Sequence, residues 1–569
     1  MQARHLLTLD HVLTLLGTAT GTSSGTSSGM SALGLTVVIA RNQKQLTRLR
    51  CDNAGLPPGS LRTLVGRKSG QLTEQLIGLP PIALVIDSRS PKGPQQGKLF
   101  EAAFFVLDPG ARWVALLDEA TLGAASPQRQ EPGGPSSGKV PQMERVGRRF
   151  EAAARTGDVR PRWRTHLRSS DQVVVTPELV SIRKGRGHLL KIRDADALTL
   201  LPQREPDLDV HEIASHEVST LTTHDHVHYG EQRGEQQVPD VMESPRLTLR
   251  RYDGAVTLPV NALAYHGRTL LPDSFRWHLS EVPTAWGIKD TGSRFARLQP
   301  HPPAQHLEGS YFHFGYNNSG HFGHLMTEAL AKLWGWQAAK DDDPSLKILC
   351  RVHPERQQRP SARLETRLLP AYGIAPEDIA WADGPVTVDR LYSGTPMWHN
   401  TVPFYAHEGL REDWARLRDG MLRGADATPG PSKIFVTRRS GHRLCRNVEQ
   451  VEAIFEAAGY TVVHPQALAL ADQVALFASA RVVAGFGGAG MFNLAYARQL
   501  EAVVILNQWA YEARNEQLYA AVHDAACHTF WSKPDIDHPP GGSAYRAHQS
   551  DWEFDLGLSG ELSALLADL

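Results

Sequence analysis

The sequence predicts an α/β protein built from several domains. Strand-like apolar runs alternate with helical patterns in three stretches of the chain, and in the last of them, residues 431–506, the alternation is strict. Such alternation is typical of parallel sheets covered by helices. With 569 residues the chain is too long for one ordinary core, and a domain size of about 100–200 residues predicts two to four domains.

Composition indicates where the domains begin and end. Residues 1–30 contain a Gly, Thr and Ser tract that can bury nothing and predicts a flexible segment. A linker rich in Pro, Gly and Ser begins at residue 126. We divide the rest into four parts. A first α/β domain spans residues 31–125, and a linker with a region of unassigned fold spans 126–245. A second α/β domain spans 246–430, and a third, together with the C-terminal tail, spans 431–569.

The first domain is interpreted as a degenerate Rossmann-like accessory domain. The strand-like run Ile82–Asp87 ends in an acidic residue and is followed by a helical pattern, a turn at Pro109–Gly110 and the strand-like run Trp113–Asp118. This order resembles the second half of a class I methyltransferase domain. The first strand-like run, Leu35–Ala40, is not followed by the glycines of an adenosylmethionine pocket. We therefore predict no such cofactor.

Charge and cysteine content exclude several functions. The formal net charge is −1, with 60 Lys+Arg against 61 Asp+Glu, which provides no basic footprint for nucleic acid or an anionic membrane. The four cysteines are widely separated, which argues against a disulfide framework or a cysteine zinc site. No apolar run approaches the ~18–20 residues needed to span a bilayer. We therefore expect a cytoplasmic protein without a transmembrane segment, and peripheral membrane contact stays open.

A glycine turn in the third domain predicts an anion-binding site. The strand-like run Val482–Ala484 breaks into a glycine cluster, and a helical pattern begins at Met491. Backbone N–H groups at the start of a helix attract anions, and ligands of doubly wound sheets bind at the carboxyl ends of strands. Turns of this kind also occur for packing reasons, so both interpretations stand. The glycines are Gly485, Gly487, Gly488 and Gly490.

An arginine-rich segment follows another strand-like run of the same domain. Arg438 and Arg443 stand in the segment Thr437–Glu449, directly after the run Lys433–Thr437. At the carboxyl end of a strand, opposite the glycine turn, these arginines could neutralise a diphosphate through bidentate hydrogen bonds. The alternative is a solvated loop. Because a loop that needs only solubility rarely concentrates four arginines at such a position, we favour a binding site.

A helical pattern in the second domain carries two histidines and a glutamate. On a helix, His321, His324 and Glu328 stand at i, i+3 and i+7 and share one stripe. This arrangement suits a metal site or an acid/base pair. It suits equally a buried histidine that is satisfied by a glutamate. The spacing alone does not separate these interpretations.

Read together, these segments resemble glycosyltransferase family 61. The family carries a His-x-x-x-Glu helix, an arginine segment with a following Asn, and a Gly-Pro-His-Gly-Ala-Gly-Leu-x-Asn turn. The order and spacing agree over roughly residues 247–519. The similar segments here are Gly323–Glu328, Thr437–Asn447 and Gly485–Asn493, with a further family pattern at His464–Ala480.

The resemblance implies a GT-B-like pair of Rossmann-type domains, preceded by the separate N-terminal α/β domain. It implies an inverting, metal-independent glycosyltransferase of polysaccharide biosynthesis. This enzyme would move a hexosyl or pentosyl group from a nucleotide sugar, expected to be a UDP-sugar, to a glycan or polysaccharide acceptor without a further cofactor. The implied catalytic residues are His324 and Glu328, one of them the general base. The implied nucleotide-sugar-binding residues are Arg438, Arg443, Asn447, Gly487, Gly488, Ala489, Gly490 and Asn493.

The glycine turn departs from the family pattern, and two alternative functions stay open. Phe486 and Gly487 stand where the family has Pro and His, so one donor to a phosphate or sugar is missing. This loss favours a non-catalytic carbohydrate-binding protein on the same fold. The second alternative is a metal-dependent hydrolase that uses His321, His324 and Glu328.

Overall fold

The predicted α/β class is confirmed, since the strands form mixed and parallel sheets that helices connect. A computed structural model describes residues 35–43, 45, 59–90, 94–117, 141–156, 161–223, 226–231, 237–352, 363–424 and 430–569. The predicted flexible N-terminal segment and the Pro-, Gly- and Ser-rich start of the linker lie outside these residues. Within them, no helix combines the length and the apolar character needed to cross a membrane.

Residues 35–184 form a six-stranded sheet with helices. Its strands are β1 (Leu35–Ala40), β2 (Leu61–Val65), β3 (Ile82–Asp87), β4 (Arg112–Leu116), β5 (Ser170–Val175) and β6 (Leu179–Lys184). Its helices are α1 (Ser69–Ile77), α2 (Gln95–Ala103), α3 (Gln142–Thr156) and α4 (Arg164–Arg168). The strand order is β2-β1-β3-β4-β6-β5. Strands β1 to β4 are parallel, and β6 is antiparallel to both of its neighbours.

Two buried histidines make this first unit sensitive to acid. Phe105 packs against both His166 and His188 with tilted rings, whose centroids are 4.5 Å apart in each pair. Burial lowers the pKa of His166 to about 4 and that of His188 to about 3. An imidazole of the unfolded chain takes up its proton near pH 6.5. The unfolded state therefore binds more protons as the pH falls from 6.5 to about 4, and stability is lost over that range.

We expect the thermal unfolding midpoint of this unit to decrease as the pH is lowered from 6.5 to 5. At pH 5 each of the two histidines should cost roughly 2 kcal/mol of unfolding free energy. His188→Phe keeps an aromatic ring and removes one titrating group, so the variant should lose less stability over the same range. Calorimetry at several pH values measures the difference. Equal slopes for the two proteins would contradict the assignment.

A mixed sheet of eleven strands follows. Its strands are β7 (Leu189–Lys191), β8 (Asp209–His216), β12 (Leu247–Leu258), β13 (Tyr265–His266), β14 (Thr269–Leu270), β15 (Ile288–Asp290), β16 (Phe295–Leu298), β17 (Gln305–His313), β18 (Lys347–Arg351), β19 (Ile379–Ala382) and β20 (Val386–Gly394). Strands β20, β17, β18 and β19 are adjacent and parallel in that order. The second predicted domain therefore has a parallel part within a larger mixed sheet.

Smaller elements complete this middle region. The strands β9 (Thr220–Thr222) and β11 (Val241–Glu243) pair with each other, as do β21 (Trp398–His399) and β22 (Tyr405–Ala406). The helices are α5 (Ala197–Arg204), α6 (Phe322–His324), α7 (Trp336–Asp342), α8 (Glu365–Tyr372) and α9 (Leu410–Leu422). A π-helical turn and a 3-10 helix join α6 to α7, at Leu325–Ala329 and Leu330–Gly335.

The third sheet is wholly parallel. Its strands are β10 (His226–Tyr229), β23 (Lys433–Val436), β24 (Thr461–Val463), β25 (Val482–Phe486), β26 (Ala502–Gln508) and β27 (Ala526–Ser532). Its helices are α10 (Val448–Ala457), α11 (Leu470–Ser479), α12 (Asn515–His523), α13 (Tyr545–His548) and α14 (Ser559–Asp568). The order is β10-β27-β26-β25-β23-β24, so the topology reverses direction between β23 and β25. Doubly wound sheets bind ligands at such a switch point.

The helical stretch of the middle region packs directly against the third sheet's glycine turn. A 3-10 helix, Ala489–Tyr496, follows β25 in place of the predicted α-helix. A Cβ added to Gly323 in α6 would lie 3.4 Å from the Cβ of Ala489 and 3.1 Å from the Phe492 ring. Leu325 and Phe492 are buried in one continuous apolar core. The fold thus brings the histidine helix beside the glycine turn.

Candidate active site

The glycine turn lies at the switch point of the third sheet. Strand β25 ends at Phe486, and strand β23 ends at Val436, two residues before Arg438. Gly488 has a φ of +133°, a conformation that residues with side chains rarely adopt. The predicted arginine segment and the predicted turn therefore meet at the carboxyl ends of neighbouring strands.

Two arginines cover the turn. Arg438 donates from Nη2 to the carbonyl oxygen of Gly487 at 3.0 Å. A Cβ on Gly488 would clash with the Nη2 of Arg438 and would come within 3.0 Å of the Nη2 of Arg443. Burial, followed by the charge of Arg443, lowers the pKa of Arg438 to about 10. Both guanidinium groups thus face the glycine turn as predicted, and each carries a positive charge at neutral pH.

Arg443 is held by an aromatic ring and by an unusual backbone conformation. Its guanidinium carbon lies 4.2 Å from the ring centroid of Tyr511, and its φ is +61°. A side chain other than glycine in this left-handed region stores strain, which concentrates at functional sites. A third arginine, Arg514, donates to the Tyr511 carbonyl oxygen at 2.6 Å and stacks 4.7 Å from the Trp531 ring. Arg514 is buried and was missed from the sequence.

A buried glutamate already occupies part of the predicted anion site. The Gly488 N–H donates to Oε1 of Glu516 at 2.5 Å, and the Gly487 N–H donates to the Leu506 carbonyl oxygen. These two N–H groups are therefore satisfied by the protein itself. Burial raises the pKa of Glu516, against the opposing effect of hydrogen bonds to its carboxylate and of Arg443 and Arg438. Three arginines thus surround a single buried carboxylate.

The remaining predicted binding residues have partners within the protein. The Asn447 amide donates to the Phe554 carbonyl oxygen at 3.0 Å and accepts from the Phe554 N–H at 2.9 Å, so it fastens the C-terminal segment. Asn493 donates to the Gly490 carbonyl oxygen at 3.1 Å. The Asn493 Oδ1 atom is buried without a hydrogen bond within the described residues. Ala489 contacts the histidine helix, as described above. Their contacts with a nucleotide stay predictions.

His324 and Glu328 form a close pair. The His324 Nδ1 atom lies 2.5 Å from Oε1 of Glu328, across a π-helical turn of the kind that is frequent at functional sites. Glu328 also forms an ion pair with Arg276, 2.9 Å between Nε and Oε1, and accepts from the Asn317 N–H at 2.9 Å. The sequence carried no signal for Arg276, which stands 52 residues before Glu328.

The two residues of the pair can have different chemical roles, with Glu328 as the charged partner and His324 as the acid/base group. Burial raises the pKa of the Glu328 carboxyl, but Arg276, His324 and the Asn317 N–H together outweigh burial and hold it below its ordinary value. Glu328 is therefore ionised at neutral pH and makes a poor proton acceptor. As a buried carboxylate on Nδ1 it can orient the imidazole and stabilise its charged form, which leaves Nε2 for acid/base work.

A pocket adjoins this pair. It is partly open to solvent. Phe275, Tyr316 and Trp398 supply aromatic surface. The polar side chains in the wall, besides the Tyr316 hydroxyl and the Trp398 indole, are Asp273, Arg276, Thr327, Glu328, Lys332 and Asn400. Apolar atoms still provide most of the surface, and polar groups that converge on such a surface are typical of a small-molecule site.

Hydrogen bonds connect the pocket to the arginine site. The Asn515 Oδ1 atom accepts from the Asn400 amide at 2.7 Å and from the Trp398 indole at 3.3 Å. Asn515 is the residue before Glu516, which binds the glycine turn. Both predicted halves of the site are therefore parts of one connected region.

The structure brings together only part of the predicted metal site, the stripe formed by His321, His324 and Glu328. The rings of His321 and His324 contact each other with centroids 4.9 Å apart, and the His324–Glu328 pair is formed. Over the part of the chain that the structure covers, the ligand atoms that converge as for a metal ion belong to another group: Glu205, Asp207 and His266. The hydrolase interpretation receives no added support from this geometry.

Comparison with known proteins points to one family. A family model described as Glycosyltransferase 61 matches residues 322–504, and no curated protein matches. Solved structures of the MycE methyltransferase from the mycinamycin biosynthetic pathway are similar over 28% of this chain. One of them, a complex with Mg, SAH and mycinamycin VI, has 14% sequence identity and a TM-score of 0.21, and the match covers 46% of its chain. Another, a complex with Mg and SAH, has 13% sequence identity and a TM-score of 0.21, and the match covers 47% of its chain. The chain thus spans about half of these structures. The predicted resemblance to glycosyltransferase family 61 is confirmed over residues 322–504, and it supports a glycosyltransferase.

Proposed function

We propose that this protein is an inverting, metal-independent glycosyltransferase that takes a sugar from a UDP-sugar and attaches it to a glycan or polysaccharide. The donor would bind at the glycine turn of the third sheet, and the acceptor in the pocket beside Glu328. The two C-terminal units would then act as a GT-B-like pair with the reaction between them. A role in polysaccharide biosynthesis in the cytoplasm follows from the family resemblance and belongs to the same proposal.

The observation that carries the proposal is the charge around the turn. Arg438, Arg443 and Arg514 bring three positive charges, and among the described residues Glu516 is a buried carboxylate close to them. Positive charges therefore outnumber this buried carboxylate. A diphosphate would supply the missing negative charge, and bidentate guanidinium groups suit its oxygens. The same groups would stabilise the charge that develops on the leaving diphosphate.

The His324–Glu328 pair supports the second half of the reaction. In a single displacement the acceptor hydroxyl oxygen forms a bond to the anomeric carbon while the bond from that carbon to the phosphate oxygen breaks. The Nε2 atom of His324 would take the hydroxyl proton, and the electron pair of the broken bond would remain on the diphosphate. Glu328 would balance the imidazolium. One displacement inverts the anomeric configuration.

Ligand binding and product analysis test the proposal. UDP at 100 times its Kd should raise the unfolding free energy by about 2.7 kcal/mol, detectable as a thermal shift. Incubation with UDP-hexoses and UDP-pentoses, with and without EDTA, should identify the donor, and NMR of the fresh product should show an inverted anomeric centre. Failure of every nucleoside diphosphate to bind would contradict the proposal. Stoichiometric zinc that is lost in His324→Ala would favour the hydrolase instead.

A further inference from the structure

Gly487 is crowded by a side chain from the neighbouring strand. A Cβ added to Gly487 would lie 2.5 Å from Nδ2 and 2.9 Å from Cγ of Asn507, distances that real Cβ atoms do not tolerate. The φ of Gly487 is not positive, so the backbone conformation does not require glycine there. A side chain at position 487 would therefore meet the side chain of Asn507.

Asn507 presents its amide nitrogen to the turn. It precedes the last residue of β26, which runs parallel to β25, and it is buried. Its Oδ1 atom accepts from the Gln508 N–H at 2.9 Å. Gln508 is itself fixed, since its Oε1 accepts from the Ala510 N–H at 2.6 Å. Because Oδ1 already accepts this hydrogen bond, Nδ2 is the Asn507 atom that lies beside Gly487. No residue in the described ranges accepts a hydrogen bond from Nδ2.

We propose that the Asn507 amide donates a hydrogen bond to the diphosphate of the donor, in the space that a side chain at position 487 would otherwise fill. The turn of the resembled family has His at this position, so in this chain the donor comes from β26 rather than from β25. This inference rests on the proposed function. It also explains how the site keeps a polar donor although the turn has lost its His.

The substitution has a chemical consequence. A histidine is protonated and charged only at lower pH, whereas an amide donates at any pH without titrating. The terminal phosphate of UDP itself takes up a proton near pH 6, so each variant must be compared with the wild type at the same pH. The ratio of the Kd of Asn507→Ala to that of the wild type should stay constant between pH 5.5 and 8. A histidine restored at position 487 should make UDP binding stronger, relative to the wild type, as the pH falls through about 6.5.

Substitutions at Asn507 test the contact. Asn507→Asp keeps the shape but turns the donor into a negatively charged acceptor, so it should weaken UDP binding roughly 10–100-fold at pH 7.5. Asn507→Ala should weaken UDP binding roughly tenfold. Val504→Ala shortens a buried side chain on the same strand, and it should lower the thermal midpoint without changing the Kd. Isothermal titration with UDP gives the Kd, and thermal midpoints report folding.

Moving the donor back to β25 provides the sharper test. Gly487→His alone should bind UDP poorly because the new side chain meets Asn507. Gly487→His combined with Asn507→Ala should bind better than either single variant and should gain the pH dependence. Wild-type affinity in Asn507→Asp would overturn this assignment while the proposed function stands. If the wild type itself binds no nucleoside diphosphate, the proposed function fails, and the assignment fails with it.

Discussion

Replacing Arg443 by alanine should weaken the binding of UDP by about 100-fold, because truncating one member of a buried, charge-assisted contact costs roughly 2–5 kcal/mol. Alanine pays the same backbone cost as arginine in the left-handed region, so the change leaves the loop conformation in place. Arg443→Lys keeps the charge but loses the planar fork and the stacking on Tyr511, and it should restore only part of the affinity.

The same segment supplies a matched control. Arg439 is more exposed, and it already pairs with Glu449 at 2.8 Å and with Glu452. Arg439→Ala should therefore leave the Kd for UDP unchanged, although it removes a positive charge four residues away in sequence. Titration calorimetry at fixed ionic strength compares the two variants. An equal loss of affinity in both would mean that general charge, rather than the geometry of the site, attracts the nucleotide.

The arginine site shows what the sequence could and could not predict. Arg438 and Arg443 were predicted because a strand-like run directly precedes them, and strand ends fix the position of whatever follows in a doubly wound sheet. Glu516 and Arg514 come from the start of α12, after β26, and nothing in their spacing signals that they return to the turn. Their role depends on long-range packing, which a local pattern does not encode.

Asn447 has a partner that the sequence did not indicate. The family resemblance implies a nucleotide contact for Asn447, which stays a prediction, and the structure shows its amide bonded to the backbone of Phe554, more than 100 residues later. Sequence alone gave no indication that the C-terminal segment lies there. In the same way, β10 joins the third sheet from a region whose fold could not be assigned, because a four-residue strand is too short to produce a clear periodic pattern.

The histidine helix was predicted with its three interpretations open, and contacts from elsewhere in the chain now favour one of them. The spacing brought His324 and Glu328 to one face, as expected. Arg276 decides their chemistry, because it keeps Glu328 ionised and so turns the glutamate into a partner for the imidazole. Burial acts in the opposite direction, since it raises the pKa of a carboxyl and so makes its carboxylate a stronger base, and Arg276 is the largest of the effects that oppose it here.

Replacing His324 by alanine should lower kcat by about 10²–10⁴-fold, because the acceptor hydroxyl would lose its general base. The Kd for UDP should stay within about twofold of the wild type, since the arginine site is left intact. Glu328→Gln keeps a group that can contact Nδ1 but removes the charge that balances the imidazolium, so it should also lower kcat at least 100-fold. Transfer assays at saturating donor, together with UDP titrations, separate the two effects.

An exposed histidine–carboxylate pair of the eleven-stranded sheet serves as the control for His324→Ala. His306 lies 2.7 Å from Asp389 and is largely exposed, so His306→Ala should leave both kcat and Kd unaltered. Because Glu328→Gln leaves Arg276 without its partner, its thermal midpoint must be measured alongside to separate unfolding from lost chemistry. If folded His324→Ala kept wild-type turnover, the base would have to be a group of the pocket wall instead. Since the ionised Glu328 is a poor acceptor, the search would then turn to Lys332, whose pKa burial lowers.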